Sequence, residues 1–196
     1  MLTRRAFLKT TLAASATLSS TALLALQSRQ QNLSDAPFLI FADETNAQAA
    51  TFSSALASTP SYIHRDVTAQ LAEVESFCKE QPKGVLFGLT RDSDFMVLEQ
   101  AAMGHGFSVH YKGIHDFRNT QMRHQVQAPQ SFARTLASAM QEAQYDWPRQ
   151  LANAAPLIAA MHSKNATDQS VEEALVSLEY RNGDPGYLVS WMMKIS

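Results

Sequence analysis

At 196 residues, with 45% hydrophobic and 17% charged residues, the chain has the composition of a soluble globular domain with a real core. Four of its 16 basic residues (Arg4, Arg5, Lys9 and Arg29) precede the first acid, so the twelve that remain stand against 18 acids, a net of −6; that balance argues against nucleic-acid binding, which needs a basic footprint. Cys78 is the single cysteine, which excludes an intramolecular disulfide, a cysteine-ligated iron–sulfur cluster and a Cys-x-x-Cys-His haem attachment within this chain.

The chain opens on Thr3-Arg4-Arg5-Ala6-Phe7-Leu8-Lys9, followed by an uncharged stretch from Thr10 to Leu26 rich in Ala, Leu, Ser and Thr. This resembles the twin-arginine export signal of bacteria, whose pattern is Ser/Thr-Arg-Arg-x-Phe-Leu-Lys, and every specified position matches. The resemblance implies that Arg4, Arg5, Phe7 and Leu8 are read by the twin-arginine translocase. It implies that the protein crosses the membrane already folded and works in the periplasm. Cargo of that pathway often carries a cofactor, or travels with a partner that does. A signal of this kind takes no part in the fold, so residues 1–32 read as signal and tether and 33–196 as one α/β domain. The membrane enters only through the signal segment, if it stays uncleaved.

Pro37 to Ala42 is a short continuous apolar run, the mark of a strand buried on both faces. Asp43, Glu44, Thr45 and Asn46 end it and supply caps for a helix carrying Ala49, Phe52 and Leu56. Ser61 to Val67 is a weaker strand. Thr68 is placed to cap a second helix, with Leu71, Val74 and Cys78 on one side, so that Cys78 reads as a buried structural thiol. After Pro82-Lys83-Gly84, Val85 to Leu89 forms the second buried strand. Thr90 to Asp94 caps a third helix carrying Phe95, Leu98 and Ala102, which Gly104 or Gly106 ends. Phe107 to Tyr111 alternates as a strand with one apolar face.

Arg118 to Gln127 is polar and basic, an edge strand or an active loop. Ser131 to Tyr145 reads as a helix, Pro148 restarts one, and Pro156 is expected to kink it. Ser170-Val171-Glu172-Glu173 fits a capping box before another short helix. Arg181 to Gly186 is a turn, and Tyr187 to Ile195 a terminal strand with both faces largely apolar. Strand and helix alternate through the first half, which predicts a small, mostly parallel sheet flanked by helices, with Rossmann-like or flavodoxin-like layering and the last strand joining it.

In such sheets ligands bind beyond the carboxyl ends of the strands. That rule gathers Asp43, Glu44, Arg65, Asp66, Arg91, Asp92, Ser93, His115, Asp116 and Arg118 on one crest. Asp43, Asp92 and His115 are the candidate acids or bases. Arg91, Asp92, Ser93 and Arg118 are the candidate ligand-binding residues. His105, His110 and His115 are a candidate metal set, since imidazole is the commonest ligand, although alternation sets His110 and His115 on opposite faces unless a bulge such as one at Gly113 intervenes. No Gly-x-Gly-x-x-Gly, P-loop or Gly-x-Ser-x-Gly motif is present, and the sequence leaves any cofactor unknown. Tyr145, Trp147, Leu151 and Leu157 suggest a partner surface in the 131–163 helical region.

Two functions follow. One is an exported, non-catalytic accessory subunit or binding protein, co-exported with a cofactor-bearing partner. The other is a small periplasmic enzyme, or a metal- or anion-binding protein, with its site at the strand ends. A cleft joining Asp43, Arg91, Asp92 and His115 favours the second. A flat crest with an apolar patch at Trp147 favours the first.

Overall fold

The computed structural model describes residues 36–43, 45–56, 67–118, 121–160, 169–177 and 186–195. The export motif, the Ser61–Val67 strand up to residue 66, Glu44, Arg65, Asp66 and most of the Arg181–Gly186 turn lie outside the described residues.

In chain order the elements are β1 (Phe38–Ala42), α1 (Ala47–Ala55), α2 (Val67–Glu80), β2 (Val85–Thr90), α3 (Asp92–Met103), β3 (Phe107–Arg118), β4 (Gln121–Pro129), α4 (Gln130–Ala143), a 3-10 turn at Gln144–Asp146, α5 (Trp147–Ala160), β5 (Gln169–Ser177) and β6 (Tyr187–Ile195). The strands form one sheet in the order β1-β2-β6-β3-β4-β5.

The sheet corrects the expectation of mostly parallel pairing. The apolar runs at Phe38 and Val85 do pair in parallel, from Phe38 opposite Val85 to Ala42 opposite Leu89. Every other pair is antiparallel. The reason is β6. It enters between β2 and β3 and runs against both. β2 and β3 therefore point the same way, as a strand–helix–strand unit requires, yet they never touch as a ladder. Helical crossovers dictate strand direction; they do not dictate what fills the gap between the strands.

Two further expectations change. Ser170 to Glu173 does not start a helix: β5 pairs with β4 over nine consecutive residues, from Gln169 opposite Pro129 to Ser177 opposite Gln121. Of the two expectations for Arg118 to Gln127, the strand holds from Gln121 on, but it lies inside the sheet and not at its edge, with β3 on one side, Arg118 opposite Gln121, and β5 on the other. Caps follow the sequence at α1, where the Asn46 side chain accepts from the Gln48 and Ala49 amides at 2.9 and 3.2 Å. They do not at α3, whose N-cap is Arg91 without a side-chain cap bond. Thr90 Oγ1 instead accepts the Trp191 indole N–H at 3.0 Å. Pro156 is carried inside α5, which runs unbroken from Trp147 to Ala160.

Each face of the sheet has its own core. The first face packs Ile40, Phe87, Leu89, Tyr111 and Met192 against Phe52 of α1, Leu136 and Met140 of α4, and Trp147, Leu151 and Ile158 of α5. The second packs Leu39, Phe41, Leu86, Val189, Trp191 and Met193 against Val74 and Cys78 of α2 and Phe95, Leu98 and Ala102 of α3. Cys78 is buried there, and burial pushes its thiol pKa up to about 11, which makes it an inert packing residue. Trp191 lies stacked on Phe41 with centroids 5.7 Å apart, and it crosses β2 at Gly88, where a Cβ would run into its indole ring.

The two faces are unequally covered. On the first, α4 packs over β4 and β5. On the second, α2 and α3 reach across β1, β2, β6 and the start of β3. Alternation along β4 makes the difference visible: Met122, His124, Val126 and Ala128 are buried under the helices, while Gln121, Arg123, Gln125 and Gln127 on the other side are exposed or half-buried. Along β5, Val171 and Leu175 stand on that open side, 63% and 49% exposed. Half of the second face is therefore free of any described helix.

Candidate functional site

Strand period and hairpin register together build two polar groupings on β3 and β4, back to back across the sheet. His115 lies opposite His124, and Asp116 lies opposite Arg123. Successive residues point to opposite faces, so the histidine pair enters the helix-covered core and the Asp–Arg pair meets the open side.

On the covered side the histidine nitrogens Nδ1 of His115 and His124 are 2.8 Å apart. His115 Nε2 lies 2.7 Å from Ser190 Oγ on β6, and Ser190 Oγ lies 2.8 Å from the Tyr111 hydroxyl. The Trp147 ring covers the pair, stacked on His115 with centroids 4.1 Å apart and tilted 5.1 Å from His124. All five side chains are buried. Among the described residues, His124 Nε2 and Trp147 Nε1 have no hydrogen-bond partner. We assign the proton order Tyr111 to Ser190 to His115 to His124, because it leaves one orphaned group in the chain, His124 Nε2–H. The reverse order would strand the Tyr111 hydroxyl proton as well, and each buried orphan costs about 1–3 kcal/mol. Burial drives the His115 pKa well below its usual value, with help from His124, and lowers that of His124 to about 3. Burial also raises the Tyr111 pKa, and its hydrogen bond with Ser190 opposes that shift. At neutral pH the whole chain is uncharged.

A serine hydroxyl against an imidazole has the form of an activated nucleophile. Here Ser190 is fully buried, so its partners serve as a polar lock between β3, β4, β6 and α5. Gly113 makes room for it: a Cβ there would run into Ser190 Oγ and the Tyr111 hydroxyl. Gly113→Ala is expected to destabilise the fold by about 1–3 kcal/mol through overpacking, read as a lowered urea midpoint. A midpoint equal to that of the parent protein would show that the hydroxyls have room to move aside.

On the open side Asp116 holds two guanidinium groups. Arg118 Nε donates to its carboxylate at 2.9 Å and Arg123 Nη2 at 3.4 Å. The Asp116 side chain is only 4% exposed, whereas Arg118 and Arg123 remain 74% and 41% exposed. With Gln121 and Leu175 they line a depression of about 200 Å³. Tyr187 of β6 pairs with Asp116, and its phenol pKa is raised by burial and by the Asp92 and Asp116 carboxylates.

The crest expected from the sequence is thus divided. Asp43 and Arg91 meet in an ion pair at 3.0 Å. Asp92 and Ser93 sit in the first turn of α3, where Ser93 Oγ lies 3.3 Å from Asp94. Arg118 joins Asp116. His115 belongs to the other face, sealed beneath Trp147, and shares no cleft with Asp43, Arg91 or Asp92. The three histidines taken as a metal set are dispersed. His105 lies in the turn after α3, and His110 sits at a register shift in β3, where Ser108 Oγ is 3.3 Å from its Nε2. Five residues of extended strand, about 16 Å, separate His110 from His115. Among the described residues no three His, Cys, Asp or Glu side chains gather closely enough to hold a metal. Trp147, Leu151 and Leu157, expected on a partner surface, are buried in the protein's own core, and Tyr145 is half-buried.

His124 belongs to the cluster His105, His110, His115 and His124 within 20 residues of sequence, whereas Ser190, Tyr111 and Arg123 were not among the candidate residues read from the sequence. Comparison with protein-family models, with curated proteins and with solved structures finds no match.

Proposed function

We propose that this chain is an exported, non-catalytic binding domain, an accessory subunit or binding protein of the periplasm, and that it works through the helix-free half of its sheet. One observation carries the reading. The open side of β4 and β5 presents Val171 and Leu175 beside a row of polar side chains, with no described helix over them. A sheet face left uncovered in this way is a surface for binding. The candidate acids and bases give the enzymatic alternative less support, since Asp43 is spent on Arg91 and His115 is shut away from solvent. The export step rests on Arg4, Arg5, Phe7 and Leu8 and on the twin-arginine pattern around them. It brings the translocase as a transient partner.

The test is made on the full-length chain expressed in its own host. Arg4→Lys with Arg5→Lys is expected to leave the precursor in the cytoplasm, seen by fractionation; unchanged delivery to the periplasm would remove the export assignment. Native mass spectrometry of the periplasmic protein is expected to show a stoichiometric companion, protein or small molecule. That companion is expected to be lost from Val171→Lys/Leu175→Lys, whose substitutions lie on exposed positions and spare the core. A companion retained by the double variant, or a bare monomer in both samples, would overturn the assigned binding face.

A further inference from the structure

We propose that Arg118 and Arg123 form a receptor for a single carboxylate group, held ready by Asp116. The proposal rests on the reading of the open sheet face as a binding surface and names the chemistry that this face takes.

Three features support it. The first is preorganisation. Arginine on a surface normally loses side-chain entropy when it captures an anion. Here Asp116, nearly buried, fixes both guanidinium groups in advance, one from the same strand two residues on and one from directly across the hairpin. The second is unused capacity. A guanidinium has five N–H donors. Arg118 spends its Nε–H and Arg123 one Nη2 on Asp116, and among the described residues neither makes another hydrogen bond or ion pair, although both act on the Tyr187 phenol. The remaining donors match the two-oxygen geometry of a carboxylate. The third is charge. Asp116 offsets one of the two guanidinium charges, and the Asp92 and Glu173 carboxylates lie on the same side of the sheet, so the site suits a singly charged carboxylate better than a dianionic phosphate.

The depression sets the size of the ligand. At about 200 Å³ it falls below the usual range of drug-sized pockets, so it takes a head group with a short stem. Leu175, half exposed, supplies an apolar wall for that stem, and Gln121 lies on the rim. Two sources offer such a group: a small aliphatic acid, or the terminal carboxylate of a peptide.

The experiment is a titration of the ¹⁵N-labelled protein, followed through the Nε–H signals of Arg118 and Arg123 and the methyl signals of Leu175. Sodium butyrate is compared with sodium chloride at equal ionic strength, with inorganic phosphate, and with the peptide Ala-Val-Leu as free acid and as amide. Butyrate is expected to give saturating shifts with a Kd of about 1 mM, the affinity of one or two exposed charge-assisted bonds. The peptide acid is expected to match or exceed butyrate if the source is a peptide terminus, and to fall below it if the source is a small acid. The amide is expected to fail in both cases. Arg118→Gln is expected to weaken butyrate binding roughly tenfold. Arg118→Lys, which keeps the charge and loses the fork, is expected to weaken it nearly as much. Shifts that merely follow chloride, saturation by phosphate without butyrate, or full affinity in Arg118→Lys would each overturn the carboxylate receptor. If butyrate fails while the companion that depends on Val171 and Leu175 persists, the binding face stands and the carboxylate receptor falls; if both fail, both fall.

Discussion

Acidification from pH 7.5 to 4.5 is expected to cost the folded protein about 2–3 kcal/mol through His124, with a further loss through His115. Both imidazoles are buried, and burial holds their folded-state pKa values far below the ordinary 6.5, at about 3 for His124 and well below the usual value for His115. In the unfolded chain they take up protons as the pH falls through about 6.5. In the folded chain His124 does not follow until near pH 3, and His115 follows only well below its usual value. Across that window the unfolded state binds more protons, so stability present above pH 6.5 is lost as the pH falls. Urea midpoints at pH 7.5, 6.0 and 4.5 measure the loss. His115→Phe/His124→Leu separates it from the general effect of carboxylate protonation. Removing both imidazoles leaves the buried Ser190 hydroxyl without its acceptor, so the double variant is expected to lose about 1–3 kcal/mol at pH 7.5 and to lose less than the parent on going from there to pH 4.5. Equal slopes in the two proteins would show that the pair does not titrate on unfolding.

Trp147→Ala is expected to be the most damaging single substitution at this site, at about 3–5 kcal/mol. Trp147 is fully buried at the start of α5, in the core that joins α1, α4 and α5 to the sheet. It is also the roof of the histidine pair, stacked on His115. Its removal opens a cavity and admits water to the imidazoles, so the variant should lose stability at pH 7.5 and show a shallower pH dependence than the parent. Trp147→Phe keeps the stacking and removes an indole N–H that has no partner among the described residues. Its cost is therefore expected below about 1.5 kcal/mol. Thermal or urea unfolding of the two variants decides between them. A loss in Trp147→Phe as large as in Trp147→Ala would mean that the indole nitrogen, rather than the ring, secures the helix.

Much of the local structure is legible in the residues. The doubly buried runs at Phe38 and Val85 announce a parallel pair because helices must lie on both sides of them. Asn46 announces α1 because its side chain reaches the first free amides. What the sequence hides is pairing at a distance. Nothing in Tyr187 to Ile195 says that it enters between β2 and β3, and that choice alone turns a parallel expectation into a mixed sheet. Gln169 to Ser177 contains a helix-start pattern, yet nine ladder positions beside β4 outweigh the local preference.

The candidate site was readable only in part. Asp116 and Arg118 are two apart on a strand, so they share a face by periodicity alone. Arg123 and His124 fall into place only once Arg118 is known to oppose Gln121, from which the register counts outward to Asp116 with Arg123 and His115 with His124. His115 was drawn to the strand ends by its position, but alternation turns it inward. Ser190 and Tyr111 gave no signal, because a serine in an apolar strand and a buried tyrosine are ordinary until their hydroxyls are seen to meet.

The placement of β6 also orders events in time. Translation delivers β1, β2, β3, β4 and β5 before the strand that joins the two halves of the sheet. Until β6 arrives, β2 exposes one unpaired edge and β3 another, both in apolar surroundings that favour intermolecular pairing. The β1–β2 pair and the β3–β4–β5 group are then two unfinished pieces, and only the final strand joins them into one sheet.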